Sequence, residues 1–233
     1  MKELTIVLPC LNEELTIGRC ISSALIFLSE NKIDGEVIVV DNGSSDASVE
    51  IARKYEVKIF IEMKKGYGAA LISGINEANS KYVIWGDSDL SYEFTTSSLM
   101  PFVEKLRDGH EVVIGNRFQG GIESGAMPFL NFYLGNPVLS FIGQKLFRSQ
   151  IRDFHCGLRG CNKNIINLIS LNCMGMEFAT ELIVRAELKR LKVTEVPTRL
   201  RRDGRNRKSH LRPWRDGFRH LILMIKLKLK ERL

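Results

Sequence analysis

Short, predominantly apolar segments alternate with segments of helical spacing through the first half of the chain. The apolar segments predict strands at residues 4–8, 36–40, 57–61, 82–85 and 111–115, and the intervening segments predict helices at about 14–28, 46–55, 67–79 and 95–107. A strand without a polar face must be covered on both sides, as happens in parallel sheets. The sequence therefore predicts an α/β fold with a mostly parallel, Rossmann-like sheet and helices on both faces.

Polar residues follow three of these predicted strands at the point where each strand ends. They occupy positions 9–13, 41–46 and 87–89. In open α/β sheets, ligands bind outside the carboxyl ends of the strands. This coincidence indicates a binding or catalytic site at that edge of the sheet.

The net charge of +7 is unevenly distributed along the 233 residues. Residues 189–233 contain 16 Lys and Arg against 4 Asp and Glu, whereas the remainder contains 18 basic and 23 acidic residues. A basic segment can meet a phosphorylated ligand, an anionic membrane surface or nucleic acid. Because no run of 18 apolar residues occurs, we expect no segment of this chain to span a bilayer.

The cysteines and the N-terminus indicate the compartment. The five cysteines are odd in number and never spaced as CxxC, and the first residues lack the pattern of a signal peptide. A chain of this length can bury a full core without disulfides. We therefore expect a reducing, cytoplasmic environment.

The acidic motif Asp87-Ser88-Asp89 is the first candidate for chemistry. Two carboxylates two positions apart in a turning segment can approach one cation from the same side. Such hard oxygen ligands suit Mg²⁺ or Mn²⁺, which also bind substrate phosphates. The alternative interpretation is a solvated acidic turn that caps the next helix.

Several segments, in order and at familiar distances, resemble one enzyme family. They are PCLNEE (9–14), VVDNGSSD (39–46), KKGYGAAL (64–71), WGDSDLSYE (85–93), GNRF (115–118), DFHCGLRG (153–160) and DGRNRKSHLRPWRDGFRHL (203–221). Together they are similar to the inverting nucleotide-sugar glycosyltransferases of the GT-A fold, and within these to the polyprenyl-phosphate or dolichol-phosphate mannose and glucose synthases. The resemblance implies a catalytic domain over residues 1–211, followed by a C-terminal helix at 212–233.

The resemblance also implies which residues hold the sugar donor, a nucleotide diphosphate sugar of the UDP-glucose or GDP-mannose type. The nucleotide base and ribose would be held by Pro9, Leu11, Glu13, Asp41 and Asn42, the last of which stands where the family usually has a second acid. The ribose and diphosphate would lie near Asp87, Ser88 and Asp89.

Metal binding and phosphate binding follow from the same resemblance. Asp89 matches the family's metal ligand, with Asp87 beside it and Ser91 at a position where the family often has Gln, so these three are the predicted ligands of Mg²⁺ or Mn²⁺. Arg117 matches an arginine that faces the sugar phosphate. A basic loop that closes over the phosphates is represented by Arg201, Arg207 and Lys208.

The chemistry of the acceptor decides whether a general base is needed. A polyprenyl phosphate acceptor is largely dianionic at neutral pH, since its second pKa is about 6, and needs cations more than a base. A hydroxyl acceptor, as on a polysaccharide or lipid-linked glycan, calls for a carboxylate nearby. Asp153 and Glu177 are the catalytic candidates in that case; their alternative roles are a strand-end turn and a helix N-terminal acid. A third hypothesis, a non-catalytic module that binds nucleic acid or membrane, is disfavoured by the ordered acidic motifs, and we expect no nucleic-acid partner.

The C-terminal segment indicates where the protein works. Apolar residues recur on one helical face at Trp214, Phe218, Leu221, Ile222, Ile225 and Leu229, and basic residues occupy much of the rest. This pattern predicts an amphipathic helix at a membrane surface; the alternative is a helix that packs on the domain's own core. Residues 129–147 are also apolar and are predicted to form two short helices separated at Pro137. We expect a peripheral position at the cytoplasmic face of a membrane, or an anchor outside this chain.

Overall fold

The computed structural model describes residues 1–205 and 213–231, which form one seven-stranded sheet with helices packed on it. The strands are β1 (Lys2–Cys10), β2 (Gly35–Asp41), β3 (Lys58–Ile61), β4 (Ser80–Trp85), β5 (Val112–Asn116), β6 (Arg159–Asn162) and β7 (Val193–Pro197). Their order in the sheet is β3-β2-β1-β4-β6-β5-β7. All neighbouring pairs are parallel except those of β6, which runs antiparallel to β4 and to β5.

The α-helices of the described residues connect these strands, except for the last helix, which follows β7. They are α1 (Ile17–Glu30), α2 (Ser48–Ala52), α3 (Tyr67–Glu77), α4 (Thr96–Arg107), α5 (Arg117–Gly120), α6 (Asn136–Phe147), α7 (Ile166–Ile169), α8 (Phe178–Leu188) and α9 (Pro213–Lys230). The mostly parallel sheet and the five predicted strands are confirmed. The helix predicted at 46–55 is shorter, since α2 ends at Ala52.

The centre of the sheet is buried on both faces. Consecutive residues of β1, from Ile6 to Leu8, and of β4, from Val83 to Trp85, are completely inaccessible to solvent. Helix α3 approaches so closely that a Cβ on Gly74 would lie 2.5 Å from Val7 of β1. Because alternate side chains of a strand point to opposite faces, burial of every residue requires a layer on each side.

Residues 129–147 form one uninterrupted helical stretch, so the predicted break at Pro137 is wrong. A π-helical turn, Asn131–Gly135, leads directly into α6, and Pro137 lies in the first turn of that helix. Inside a helical stretch, a proline lacks the N–H for one main-chain hydrogen bond and its ring crowds the preceding turn. The wider π turn before it accommodates the ring, and the helix continues.

Helix α9 has one buried and one exposed face. Asp216, His220, Met224 and Leu227 are buried against α6 and α8. Phe218, Ile225 and Leu229 point outward, and each is about half exposed or more. The helix thus packs on the domain, as the alternative interpretation had it, and also presents apolar side chains to solvent. Among the described residues, no helix is both long and apolar enough to cross a membrane.

Candidate active site

The polar segments after β1, β2 and β4 meet at one edge of the sheet. The main-chain N–H of Asn12 donates to the Ser44 hydroxyl at 2.9 Å, and the Ser88 hydroxyl donates to the Pro9 carbonyl at 2.8 Å. Pro9 and Leu11 are partly exposed there. The structure therefore brings together the three strand ends that the sequence singled out.

The loop after β2 is ordered by Asp41. Its buried carboxylate accepts hydrogen bonds from the main-chain N–H groups of Gly43 at 3.0 Å and Ser44 at 3.2 Å. Gly43 has φ of 88°, a conformation that glycine adopts at no steric cost. Asp41 thus shapes the wall of the predicted nucleotide pocket before any ligand binds.

The side chain of Asn42 is engaged within the protein. Its amide nitrogen donates to the carbonyls of Glu62 at 3.0 Å and Lys64 at 2.8 Å, and its amide oxygen accepts from the N–H of Gly66 at 2.8 Å. An Asp could not make the two donations. The Asn42 side chain therefore links the loop after β2 to the segment after β3, and its amide nitrogen and oxygen are both used in these hydrogen bonds.

Asp89 lies beneath the edge of the sheet and is almost completely buried. Its Oδ1 accepts from the main-chain N–H of Ser91 at 3.0 Å and from the Ser91 hydroxyl at 2.5 Å. Its Oδ2 accepts from Nη2 of Arg205 at 2.5 Å. Ser91, a predicted metal ligand, therefore orients Asp89 in this structure.

Asp87 sits in an environment that disfavours its charge. Burial, and then the negative charge of Asp89, raise the pKa of Asp87 to about 7, against a hydrogen bond from Tyr67 and the positive charges of Arg205 and Arg117. The site is tight, since a Cβ on Gly157 would lie 2.5 Å from Asp87 Oδ2. The two carboxylates thus concentrate negative charge that a cation would neutralise.

The residues present fit a divalent cation. Among the described residues, no cluster of three His, Cys, Asp or Glu side chains forms a closed metal site. The described residues that would bind the ion are Asp87 and Asp89, with the Ser91 hydroxyl beside them. Mg²⁺ and Mn²⁺ commonly bind through one or two carboxylates and complete their shell with water and substrate phosphate. This donor set suits a cation that arrives with a diphosphate.

Arg117 and Asp153 form a buried ion pair next to the acidic residues. Nε and Nη2 of Arg117 each donate to an Asp153 carboxylate oxygen at 2.7 Å, and the Arg117 main-chain N–H donates to the same group at 3.0 Å. Burial alone would raise the pKa of Asp153, but the Arg117 charge and these hydrogen bonds lower it. Asp153 therefore holds Arg117 in place, a positioning role that leaves its oxygens little capacity to accept a substrate proton.

Glu177 contacts the C-terminal helix. It lies at the N-terminus of α8 and pairs with Arg219 of α9. The next residue of α9, His220, bonds through Nδ1 to the Thr180 hydroxyl at 2.7 Å, and its ring lies edge-on to His155 with centroids 4.7 Å apart. The second candidate base thus joins α9 to the segment that borders the acidic site.

Sequence reasoning missed two arginines of the site. Arg159 is fully buried and donates to three main-chain carbonyls, those of Phe154, Cys156 and Ala179, so it fixes the turn between Asp153 and β6. Arg205 reaches Asp89 directly. Both arginines occur in motifs that carry the family resemblance. The Asp-Gly pair before Arg205 predicts a turn, and this turn was the sequence feature that could have drawn attention to Arg205.

The predicted basic loop is only partly described. Arg201 pairs with Glu93, and its Nε lies 3.9 Å from Glu123. Arg207, Lys208 and the side chain of Trp214 lie outside the described residues.

Solved structures with the same arrangement of strands and helices define the fold as GT-A. The glucosyl-3-phosphoglycerate synthase of Mycobacterium tuberculosis, in complex with Mn²⁺, UDP and glucosyl-3-phosphoglycerate, matches with a TM-score of 0.69 at 21% identity, over 99% of this chain and 80% of that one. Another structure of that enzyme contains Mg²⁺ and UDP. The class that the resemblance implied, a GT-A glycosyltransferase fold, is confirmed.

The chain belongs to glycosyl transferase family 2, whose model matches residues 5–169. A low-salt glycan biosynthesis hexosyltransferase of Haloferax volcanii, Agl6, is 33% identical over 224 residues, which cover 95% of this chain and 53% of Agl6. A dolichyl-phosphate hexose transferase of the same organism is 28% identical over 233 residues, covering 99% of this chain and 96% of the relative. This chain thus spans about half the length of Agl6. It is thus a member of a glycosyltransferase family, and a dolichyl-phosphate hexose transferase is among its relatives.

Proposed function

We propose that this protein transfers a hexose from a nucleotide diphosphate sugar to polyprenyl or dolichyl phosphate, with inversion at the anomeric carbon and with Mg²⁺ or Mn²⁺. The main observation in support is the Asp87–Asp89 pair at the end of buried strand β4, close to the positive charges of Arg117 and Arg205. The dolichyl-phosphate hexose transferase that is similar over almost the whole chain supports a lipid phosphate as acceptor.

The leaving diphosphate would be stabilised by preorganised cations. A divalent ion held by Asp87 and Asp89 would neutralise charge that develops on the diphosphate. Arg117 adds a fixed positive charge, because its bidentate pair with Asp153 removes the freedom of its side chain before the reaction. Fixed charges need no reorganisation when the bond breaks, which makes them effective in catalysis.

Each of the two carboxylates that could act as a general base is paired with an arginine, and this favours a phosphate acceptor. Asp153 is held by Arg117, and Glu177 is held by Arg219. A hydroxyl acceptor needs a carboxylate that is within reach and able to take a proton. A phosphate acceptor brings its own negative charge and needs only cations to hold it beside the donor.

A panel of donors and acceptors tests this function. Purified protein would be incubated with UDP-glucose, GDP-mannose or related labelled donors, with Mn²⁺ or Mg²⁺, and with either polyprenyl phosphate or a saccharide. We expect label in the lipid phosphate fraction and loss of transfer in EDTA. Incorporation into the saccharide alone would contradict the lipid acceptor, and transfer undiminished in EDTA would contradict the metal.

We further propose that α6, the preceding π turn and α9 rest on the cytoplasmic surface of a membrane. Large apolar side chains are exposed on both helical segments: Phe129, Tyr133, Leu134, Val138, Phe141, Phe218, Ile225 and Leu229. The two segments pack against each other, and exposed Arg215, Lys226 and Lys230 accompany the apolar residues of α9. Apolar side chains with flanking basic residues suit an interface rich in anionic lipid.

Removal of two apolar side chains from α9 should weaken membrane binding. We expect the double variant Phe218→Ser/Ile225→Ser to partition onto anionic vesicles about thirtyfold less than the wild type, since each buried apolar side chain contributes on the order of 1 kcal/mol at an interface. Vesicle co-sedimentation measures this. The matched control is Ile26→Ser/Ile61→Ser, which removes two exposed apolar side chains of similar size from α1 and β3. Equal binding by both double variants would contradict the proposed surface.

A further inference from the structure

Arg205 is surrounded by carboxylates at the place where the donor diphosphate is proposed to bind. Its Nη2 lies 2.5 Å from Asp89 Oδ2 and 3.3 Å from Asp203 Oδ2, and its Nη1 lies 3.3 Å from Glu13 Oε1. Only 13% of its side chain is exposed. The guanidinium therefore supplies positive charge to the same carboxylate that the proposed function assigns to the divalent ion.

Main-chain hydrogen bonds hold the segment that carries Arg205 next to Asp89. We call residues 201–205 the strap. The N–H of Arg201 donates to the Ser91 carbonyl at 2.9 Å, and the N–H of Gly204 donates to the Asp89 carbonyl at 2.7 Å. Gly204 also lies tightly against Leu90 and Thr16, where a Cβ would approach to 2.8 and 3.0 Å. The strap is thus joined at two points to the acidic segment 89–91.

The guanidinium has a donor that this arrangement does not use. Nε of Arg205 is buried, and no hydrogen-bond acceptor is found for it in the part of the chain that the structure describes. A buried N–H of a charged group without a partner is costly, and such groups normally find an acceptor. An anionic oxygen brought by a ligand would satisfy it.

The two cations compete for one oxygen. Asp89 Oδ2 is in contact with Arg205, so a divalent ion on that oxygen would stand within a few ångströms of a guanidinium. Like charges at that distance in a poorly solvated site repel strongly. The ion should bind best once Arg205 has left Asp89. Glu13 and Asp203 already contact the guanidinium, and an anionic ligand oxygen would replace the contact that is lost at Asp89.

We propose that Arg205 exchanges partners during donor binding, from Asp89 in the free protein to the diphosphate of the donor once the divalent ion is on Asp89. This inference rests on the proposed function, because it takes the metal and the donor to bind at the Asp87–Asp89 edge. Arg205 then acts as a resident counter-ion that makes metal and nucleotide binding mutually dependent. In the absence of nucleotide, it holds the affinity for the metal low.

Reciprocal coupling gives the expected binding behaviour. If each ligand strengthens the other through Arg205, removal of its charge must reduce the coupling seen from either side. Arg205→Gln should bind Mn²⁺ alone about tenfold more tightly than the wild type, because the competitor is gone. The same variant should bind a nucleoside diphosphate in the presence of Mn²⁺ about tenfold more weakly, because the phosphates have lost a partner.

The experiment compares four proteins: the wild type, Arg205→Gln, Arg205→Lys and the control Arg202→Gln. Arg202 lies in the same strap but donates to the Ser124 carbonyl, away from the acidic residues. Mn²⁺ affinity is measured by electron paramagnetic resonance with and without UDP or GDP, and nucleotide affinity is measured by calorimetry with and without Mn²⁺. Circular dichroism and Tm establish that each variant is folded.

Each outcome decides between the function and the inference. Tighter Mn²⁺ binding with weaker nucleotide binding in Arg205→Gln, and wild-type values in Arg202→Gln, would support the exchange. Unchanged Mn²⁺ affinity in Arg205→Gln would overturn it and leave the proposed function intact. A wild type that binds neither Mn²⁺ nor UDP nor GDP would overturn the proposed function as well. Arg205→Lys keeps the positive charge and should bind Mn²⁺ within a few-fold of the wild type; much tighter binding would contradict a competition between charges. If Arg205→Gln fails to fold, the equally uncharged Arg205→Met carries the test and should bind Mn²⁺ more tightly than the wild type.

Discussion

Asp89→Asn should reduce transfer of the sugar by roughly 10²- to 10³-fold, the range for losing one preorganised electrostatic contact in an active site. The side chain is held by Ser91 on one oxygen, so the amide can keep its position while the charge is lost. The affinity for Mn²⁺ should fall along with activity, because an amide is a much weaker ligand than a carboxylate for a hard cation. Labelled transfer to polyprenyl phosphate and Mn²⁺ binding together measure the effect.

The control for Asp89→Asn is Asp108→Asn. Asp108 is exposed and ends α4 at the opposite side of the sheet, so the same neutralisation there should leave both measurements unchanged. Activity of Asp89→Asn within a few-fold of the wild type would rule out a role for this carboxylate in holding the metal. A loss of Mn²⁺ binding with full activity would separate metal binding from catalysis.

Strands β1, β2 and β4 could be predicted because their sequences are predominantly apolar. The segments 4–8, 36–40 and 82–85 must be covered on both faces, and this fixes a parallel arrangement with the polar strand ends at one edge. Strand β6 lacks that signal. Its sequence is Arg-Gly-Cys-Asn, and it belongs to the sheet because it pairs with β4 and β5 at once, a tertiary relation that no local pattern encodes.

The acidic pair of the candidate site was predictable in the same way, whereas its partners were not. Asp87 and Asp89 stand directly after a recognisable strand. Tyr67, Arg159 and Arg205 reach them or support them from segments far away in the chain, and their roles depend on the fold. Asn42 illustrates the converse: its position in the motif indicated nucleotide binding, but its hydrogen bonds to the segment after β3 became visible only in three dimensions.

Asp87→Asn should abolish most transfer and at the same time stabilise the metal-free protein. The pKa of Asp87 rises from the ordinary 3.8 to about 7 in the folded state, so the folded protein holds a proton on this group that the unfolded chain releases. As pH increases from about 4 to 7, ionisation therefore favours the unfolded chain, and the destabilisation is complete above pH 7. An uncharged Asn avoids this effect.

In EDTA, we expect the Tm of Asp87→Asn to exceed that of the wild type by roughly 5 °C at pH 8, and the difference to shrink steadily as pH falls toward 4. Thermal unfolding followed by circular dichroism across this pH range measures it, with Asp108→Asn as the neutralised control that should show no such trend. A difference that stays constant with pH, or a variant less stable than the wild type at pH 8, would contradict the raised pKa. A buried carboxylate such as Asp87 can destabilise the metal-free protein and still support the reaction. Its negative charge is unfavourable until a cation binds, and the free energy released when the cation neutralises that charge contributes to cation binding.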